Sequence, residues 1–224
     1  MDLREGLKVD YNEQTPPYVH YLARLIRPFP NFDFFFIKSL REAAVDALRL
    51  QQGNRVLDVG CGSGGTFPYL VEAVGEYGEV VGIEISPEVA INAKKRIEVR
   101  RWSNVQVVQG DARTVTLNGE FDGLVLFAAP DVYASPQALA NLLPHLKDNA
   151  LVVAFGAKLS RRRLAGAFNL LFQSLMKLSF SSTPALNHEP WSVLEHWLVE
   201  VHVQEYFFGC MFMASGVKKP FGRN

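Results

Sequence analysis

From about Gly53 onward the chain alternates short apolar, β-branched runs with longer stretches of helical periodicity, and this alternation constrains the fold more than any other feature. The apolar residues run consecutively instead of at every second position. That pattern marks strands buried on both faces, as helices packed on either side of a parallel sheet require. Runs at residues 55–59, 79–85, 105–109, 121–128 and 150–155 are read as a core sheet, with helices expected at 66–74, 87–101 and 137–146. Ser86 and Pro87 define the start of the second helix. A serine hydroxyl caps free N–H groups there, and proline's missing N–H costs nothing at the first helical position. Two final runs, 201–208 and 210–217, are separated by Gly209 alone. A parallel crossover needs a dozen or more residues, so these two are predicted to form an antiparallel hairpin.

With 224 residues, 48% of them apolar, the chain is long enough for one domain with elaborations. Its 23 basic and 23 acidic residues cancel, which gives no global reason to expect a nucleic-acid partner. No apolar run reaches the ~18 residues needed to span a bilayer. The first residues lack a signal peptide's apolar centre, and two cysteines do not make a disulfide framework, so a cytoplasmic protein is expected. Two segments lie outside the alternation. Residues 11–50 carry Phe29, Phe32, Phe34, Phe35 and Phe36 ahead of a helix expected at 38–50. In residues 161–180, Leu164, Phe168, Leu171, Leu175 and Leu178 recur at helical spacing along one face. The expected organisation is a cover at 1–52, a core domain at 53–217 with an inserted apolar helix at 161–180, and a tail at 218–224.

The first strand runs through Asp58 into Gly60-Cys61-Gly62-Ser63-Gly64-Gly65 and then a helix. Glycines let bare backbone and a helix N-terminus approach a ligand. The spacing of Gly60, Gly62 and Gly65 also satisfies a dinucleotide fingerprint, with Glu84 near the place of its ribose-binding acid, so an NAD(P)-dependent oxidoreductase is an alternative on glycine spacing alone. Asp58 separates the two. An acid two residues before the first glycine gains nothing from a pyrophosphate but does gain from a ligand bearing an ammonium group. Glu84 can accept from both hydroxyls of a ribose, and Gly110-Asp111-Ala112 brings a third acid to the same sheet edge.

With these residues in place, the sequence resembles the class I S-adenosylmethionine-dependent methyltransferases from about Gly53 to Val217. The resemblance implies a Rossmann-like, doubly wound α/β sheet of seven mostly parallel strands with an antiparallel strand at its end. It implies that Asp58 serves the amine of S-adenosyl-L-methionine, that Gly60, Gly62, Ser63 and Gly64 shape the loop around it, and that Glu84 holds the ribose hydroxyls. Asp111 is expected at the adenine amino group and Ala112 at the adjoining backbone contact, with Ile85 and Phe127 as further cofactor contacts. Cys61 and Cys210 are read as structural, and no histidine has a metal-ligand spacing.

The acceptor should sit beyond the carboxyl end of the fourth strand, where Asp131 and Tyr133 are the nearest polar candidates for catalysis. Their context, Ala128-Ala129-Pro130-Asp131-Val132-Tyr133, departs from the Asn-Pro-Pro-Tyr or Asp-Pro-Pro-Tyr motif of methyltransferases acting on nucleic-acid bases. His188, in the connector before the hairpin, is a third candidate. The phenylalanine-rich segment and the apolar helix occupy the place of a cover, which points to a small or lipid-like hydrophobic acceptor methylated at oxygen, carbon or amine nitrogen. The layout is similar to the methyltransferases of quinones and phospholipid headgroups. Arg161, Arg162 and Arg163 at the start of the apolar helix have two readings, contact with an anionic membrane surface or simple solvation of a helix that packs on the domain. A cofactor binder that does not transfer methyl groups is the remaining alternative.

Overall fold

The computed structural model describes residues 35–161, 169 and 187–220. Its strands are β1 (Arg55–Val59), β2 (Glu79–Glu84), β3 (Val105–Gln109), β4 (Phe121–Phe127), β5 (Leu146–Ala157), β6 (Leu198–Tyr206) and β7 (Met211–Lys218). They form one seven-stranded sheet in the order β3-β2-β1-β4-β5-β7-β6. All neighbours are parallel up to β5; β7 runs antiparallel to both β5 and β6. The order reverses between β1 and β4, so a crevice opens at their carboxyl ends, the usual ligand site of an open α/β sheet.

Helices α1 (Phe35–Ala47), α2 (Phe67–Val74) and α3 (Pro87–Arg100) cover one face, where Leu40, Ala44, Leu48, Phe67 and Leu70 are buried on Val56, Val80 and Val125. The other face packs on α5 (Pro136–Leu142), reached through the short α4 (Pro130–Tyr133), and on Trp191, Leu194 and Phe212. The expected cap of α3 is present: the Ser86 hydroxyl accepts from the Val89 N–H at 3.4 Å. At the outer edge, β6 carries exposed Glu200, His202, Gln204 and Glu205, polar groups that discourage further strand pairing.

Several boundaries differ from the sequence expectation, for local reasons. The first helix ends at Ala47 and not at Leu50, because Arg49 takes a left-handed φ of 49° and turns the chain. The helix expected at 137–146 stops at Leu142, since Pro144 cannot continue an α-helical ladder. β5 therefore starts at Leu146, paired with Phe121, and a register shift follows before Gly123 meets Leu151. In the hairpin, Phe207 and Phe208 belong to a turn, Phe207–Gly209, with left-handed φ of 48° and 57°. Lys218, assigned to the tail, is the last residue of β7 and is buried, its ammonium donating to the Leu146 carbonyl at 2.6 Å. The aromatic cover up to residue 34 and nearly all of the apolar helix expected at 161–180, Arg162 and Arg163 included, lie outside the described residues. Among the described residues no helix is long and apolar enough to cross a membrane.

Candidate functional site

Strand alternation turns Asp58 to the same face as Val56, beneath α1 and α2. It is 1% exposed, and neither carboxylate oxygen has a hydrogen-bond partner. Burial pushes its pKa up to about 7; the nearby Arg41 guanidinium pulls it down and the Glu84 carboxylate pushes it up further. A buried carboxylate without partners costs free energy that a donated ammonium N–H would recover. The side chain expected to meet the cofactor's amine is thus an orphaned acceptor at the mouth of the crevice.

The loop after β1 follows from its glycines. A Cβ on Gly60 would stand 2.7 Å from that of Ala129, and one on Gly64 would stand 2.5 Å from the Phe67 ring, while φ at the two is 70° and 76°. Only glycine meets both demands. Glu84 braces this loop: its carboxylate accepts from the Gly62 N–H at 3.0 Å and from the Ser86 N–H at 2.9 Å. A carboxylate offers about four lone-pair sites, so the pair of hydroxyls of a ribose can still be accepted. Ser63 sits partly exposed in the same turn. Ile85, just past β2, is 59% exposed and supplies an apolar wall beside it.

On the adenine side, Asp111 is engaged by its neighbour. Its carboxylate accepts from the Arg113 side chain at 2.9 Å and from the Arg113 backbone N–H at 2.9 Å, and these bonds hold its pKa below the usual range. Ala112 is buried, with its carbonyl accepting from Asn141 at 3.1 Å. Phe127 is less a wall than a platform. It stacks on Phe155 at 4.5 Å, and the Arg41 guanidinium lies over its ring at 4.6 Å.

Arg41 is the site residue that sequence reasoning missed. Its Nη1 donates to the Thr66 hydroxyl at 3.1 Å, and its guanidinium lies so close along Gly65 that a Cβ there would stand 2.6 Å from Cζ. The available signal was periodicity: Ile37, Leu40, Ala44, Val45 and Leu48 form the buried stripe of α1, and Arg41 interrupts that stripe.

The catalytic candidates separate. Tyr133 is withdrawn: it is 1% exposed, packs edge-on to Phe212 at 5.5 Å, and burial raises its phenol far above the ordinary value. Asp131 is exposed on α4 at the rim. His188 is also exposed, with Nδ1 3.0 Å from the Leu159 carbonyl beyond the end of β5. Cys61 is buried, and desolvation together with Asp58 and Glu84 raises its thiol, so it is not a nucleophile. Cys210, expected in the last strand, lies in the turn just before β7 and is fully buried.

The reversed strand order, the glycine loop and a buried acid beside it define an S-adenosylmethionine-dependent methyltransferase. The sequence model of protein-L-isoaspartate (D-aspartate) O-methyltransferases matches residues 38–154, just over half of the chain. The chain belongs to that family. Relatives include the protein-L-isoaspartate O-methyltransferase of Methanococcus aeolicus, 30% identical over 151 residues that cover 66% of this chain and 68% of that protein. The demethylmenaquinone methyltransferase of a Geobacillus species is 25% identical over 202 residues, covering 80% of this chain and 85% of that protein. Among solved structures, a SAM-dependent methyltransferase from Aquifex aeolicus superposes with a TM-score of 0.61 at 20% identity, over 90% of this chain and 97% of that one. The N-methyltransferase NodS of Bradyrhizobium japonicum, in complex with S-adenosyl-L-homocysteine, gives 0.60 at 16% identity over 89% and 97%. These two likenesses carry the fold. The family carries the reaction and its cofactor, S-adenosylmethionine, and with it the oxidoreductase reading of Gly60, Gly62 and Gly65 falls.

Proposed function

We propose that the chain transfers a methyl group to an apolar ring compound of the quinol type, with Asp58, Glu84 and Arg41 holding the donor. When bound, S-adenosylmethionine supplies an electrophilic methyl group on a sulfonium. The chemistry it would supply there is in-line transfer of that methyl group, with sulfur keeping the electron pair of the carbon–sulfur bond and the acceptor's proton released to water. Asp58 would accept from the donor's ammonium, and Arg41, reaching over the loop from α1 beside Gly65 and Thr66, would take its α-carboxylate in the bidentate geometry that guanidinium favours. Glu84 and the Gly62 backbone would fix the ribose. Ser63, Ile85, Asp111, Ala112 and Phe127 are kept as the remaining cofactor contacts.

The observation that carries the acceptor class is the group of rings near the carboxyl ends of β4, β5 and the edge strand β6. Phe127 stacks on Phe155, and Tyr206 meets Phe155 edge-on at 6.5 Å. Phe127 and Phe155 are buried and Tyr206 is partly exposed, so these rings make the surroundings of the donor loop apolar, which suits a flat apolar acceptor better than a free carboxylate. Supporting this, the alignment with the demethylmenaquinone methyltransferase covers 80% of the chain and so extends past residue 154, where the family match ends. A second reading, methyl esterification of isoaspartyl carboxylates in proteins, is favoured by the family match itself. Incubation with labelled S-adenosylmethionine and either a 1,4-naphthoquinol or an isoaspartyl peptide separates them. A methylated naphthoquinol whose label survives alkali is the expected product. Label confined to the peptide and released as methanol by alkali would overturn the quinol reading in favour of the second.

A further inference from the structure

We infer that the cleft between α2 and α3 is a second ligand site, one for a compound bearing two or more phosphate groups. The cleft has a volume of about 760 Å³ and opens on the outer flank of the helical layer, sharing only Gly65 with the donor loop. Four cations line it: Lys38 from α1, and Lys95, Arg96 and Arg100 from one face of α3. No acid lines it among the described residues. Among the described residues, Lys38, Lys95 and Arg100 have no carboxylate within ion-pair distance, although the exposed salt bridges pair other cations with acids elsewhere. In a chain with 23 charges of each sign, this is a local segregation of positive charge. Like charges facing one concavity repel each other and concentrate anions there.

The arrangement is fixed at one point. Arg96 Nη1 donates to the Gly64 carbonyl at 3.0 Å, which holds the guanidinium at the cleft floor with other N–H groups left to donate. From Lys95 to Arg100 the cations of α3 span about 7.5 Å of helix at ~1.5 Å per residue, and Lys38 of α1 adds a fourth. Two or three linked phosphates match cations set along that length, and on a second helix, better than a single phosphate does. The volume also lies within the roughly 300–1,000 Å³ of small-molecule sites, and the flank of Tyr69 and the exposed Val99 leave room for an organic body.

The test is calorimetric titration of the full chain with tripolyphosphate at physiological salt, repeated on K95E/R100E. Neither residue touches the donor loop, so S-adenosylhomocysteine affinity reports on folding and should stay within about twofold. Saturable binding that falls at least tenfold in the variant is the expected result. Phosphatidylglycerol vesicles distinguish the source of the phosphates: vesicle binding displaced by tripolyphosphate and lost in the variant assigns them to lipid headgroups, and tripolyphosphate binding without vesicle binding assigns them to a soluble ligand. If the wild-type chain binds neither probe, or the variant binds as well as wild type, there is no such site.

Discussion

The Arg41 guanidinium stands beside the buried Asp58 carboxylate and lowers a pKa that desolvation raises to about 7. Opposite charges meet at one end of the donor loop, each left able to take a ligand group of the other sign. Asp58→Asn keeps the size of the side chain and removes its charge. It is expected to weaken S-adenosylhomocysteine binding by at least a hundredfold, about 2.7 kcal/mol, while the ligand-free protein melts no lower than wild type because the buried carboxylate it loses had no hydrogen-bond partner to offset its desolvation. Calorimetry and thermal melts with and without ligand check both halves.

The same group sets a pH dependence. An exposed aspartate titrates at 3.8, whereas folded Asp58 titrates at about 7, so between these values the folded chain binds a proton that the unfolded chain has released. Stability contributed by this group therefore falls as pH rises from about 4 to about 7 and is level above that. Ligand affinity runs the other way, since an ammonium needs the deprotonated acid. Between pH 5.5 and 7, affinity for S-adenosylhomocysteine should rise about 16-fold in all and then flatten, with close to one proton released per ligand at pH 6 in paired-buffer calorimetry. A flat profile in wild type would remove Asp58 from the amine site.

Arg41→Ala should separate the two ends of the donor. Loss of the carboxylate partner is expected to cut S-adenosylhomocysteine affinity by ten- to a hundredfold and to leave 5′-methylthioadenosine, which lacks the amino-acid end, bound as before. Removing the cation also removes the influence that lowers Asp58, so the midpoint of the pH profile should move upward from about 7. Arg41→Lys retains the charge without the fork and should restore the midpoint better than the affinity.

The parts of this site that could be read from sequence are those where local chemistry is sufficient. Consecutive apolar runs gave β1 and β3 to the residue, and the Ser86-Pro87 pair placed the start of α3. Asp58, Glu84 and the glycines are adjacent in the chain to the strands that present them. Arg41 was hidden because its partners, Thr66, Gly65 and Phe127, come from elements 24 or more residues away, and no local rule links them. Tyr133 misled in the opposite direction. It follows β4 where a rim residue belongs, but the single turn of α4 rotates it inward onto Gly156.

That inward packing gives the last prediction. A Cβ on Gly156 would stand 2.2 Å from the Tyr133 hydroxyl oxygen and 2.9 Å from its ring carbon Cζ. Neither atom can retreat, because the ring is buried against Phe212. Gly156→Ala should therefore destabilise the chain by about 1–3 kcal/mol, the ordinary cost of overpacking a core. Tyr133→Phe alone should leave methyl transfer unchanged, since the phenol does not reach the crevice. In the double variant the 2.2 Å clash is gone and the 2.9 Å contact remains, so denaturant melts should show partial recovery. A Tyr133→Phe variant that folds normally and loses turnover would return the hydroxyl to the catalytic candidates.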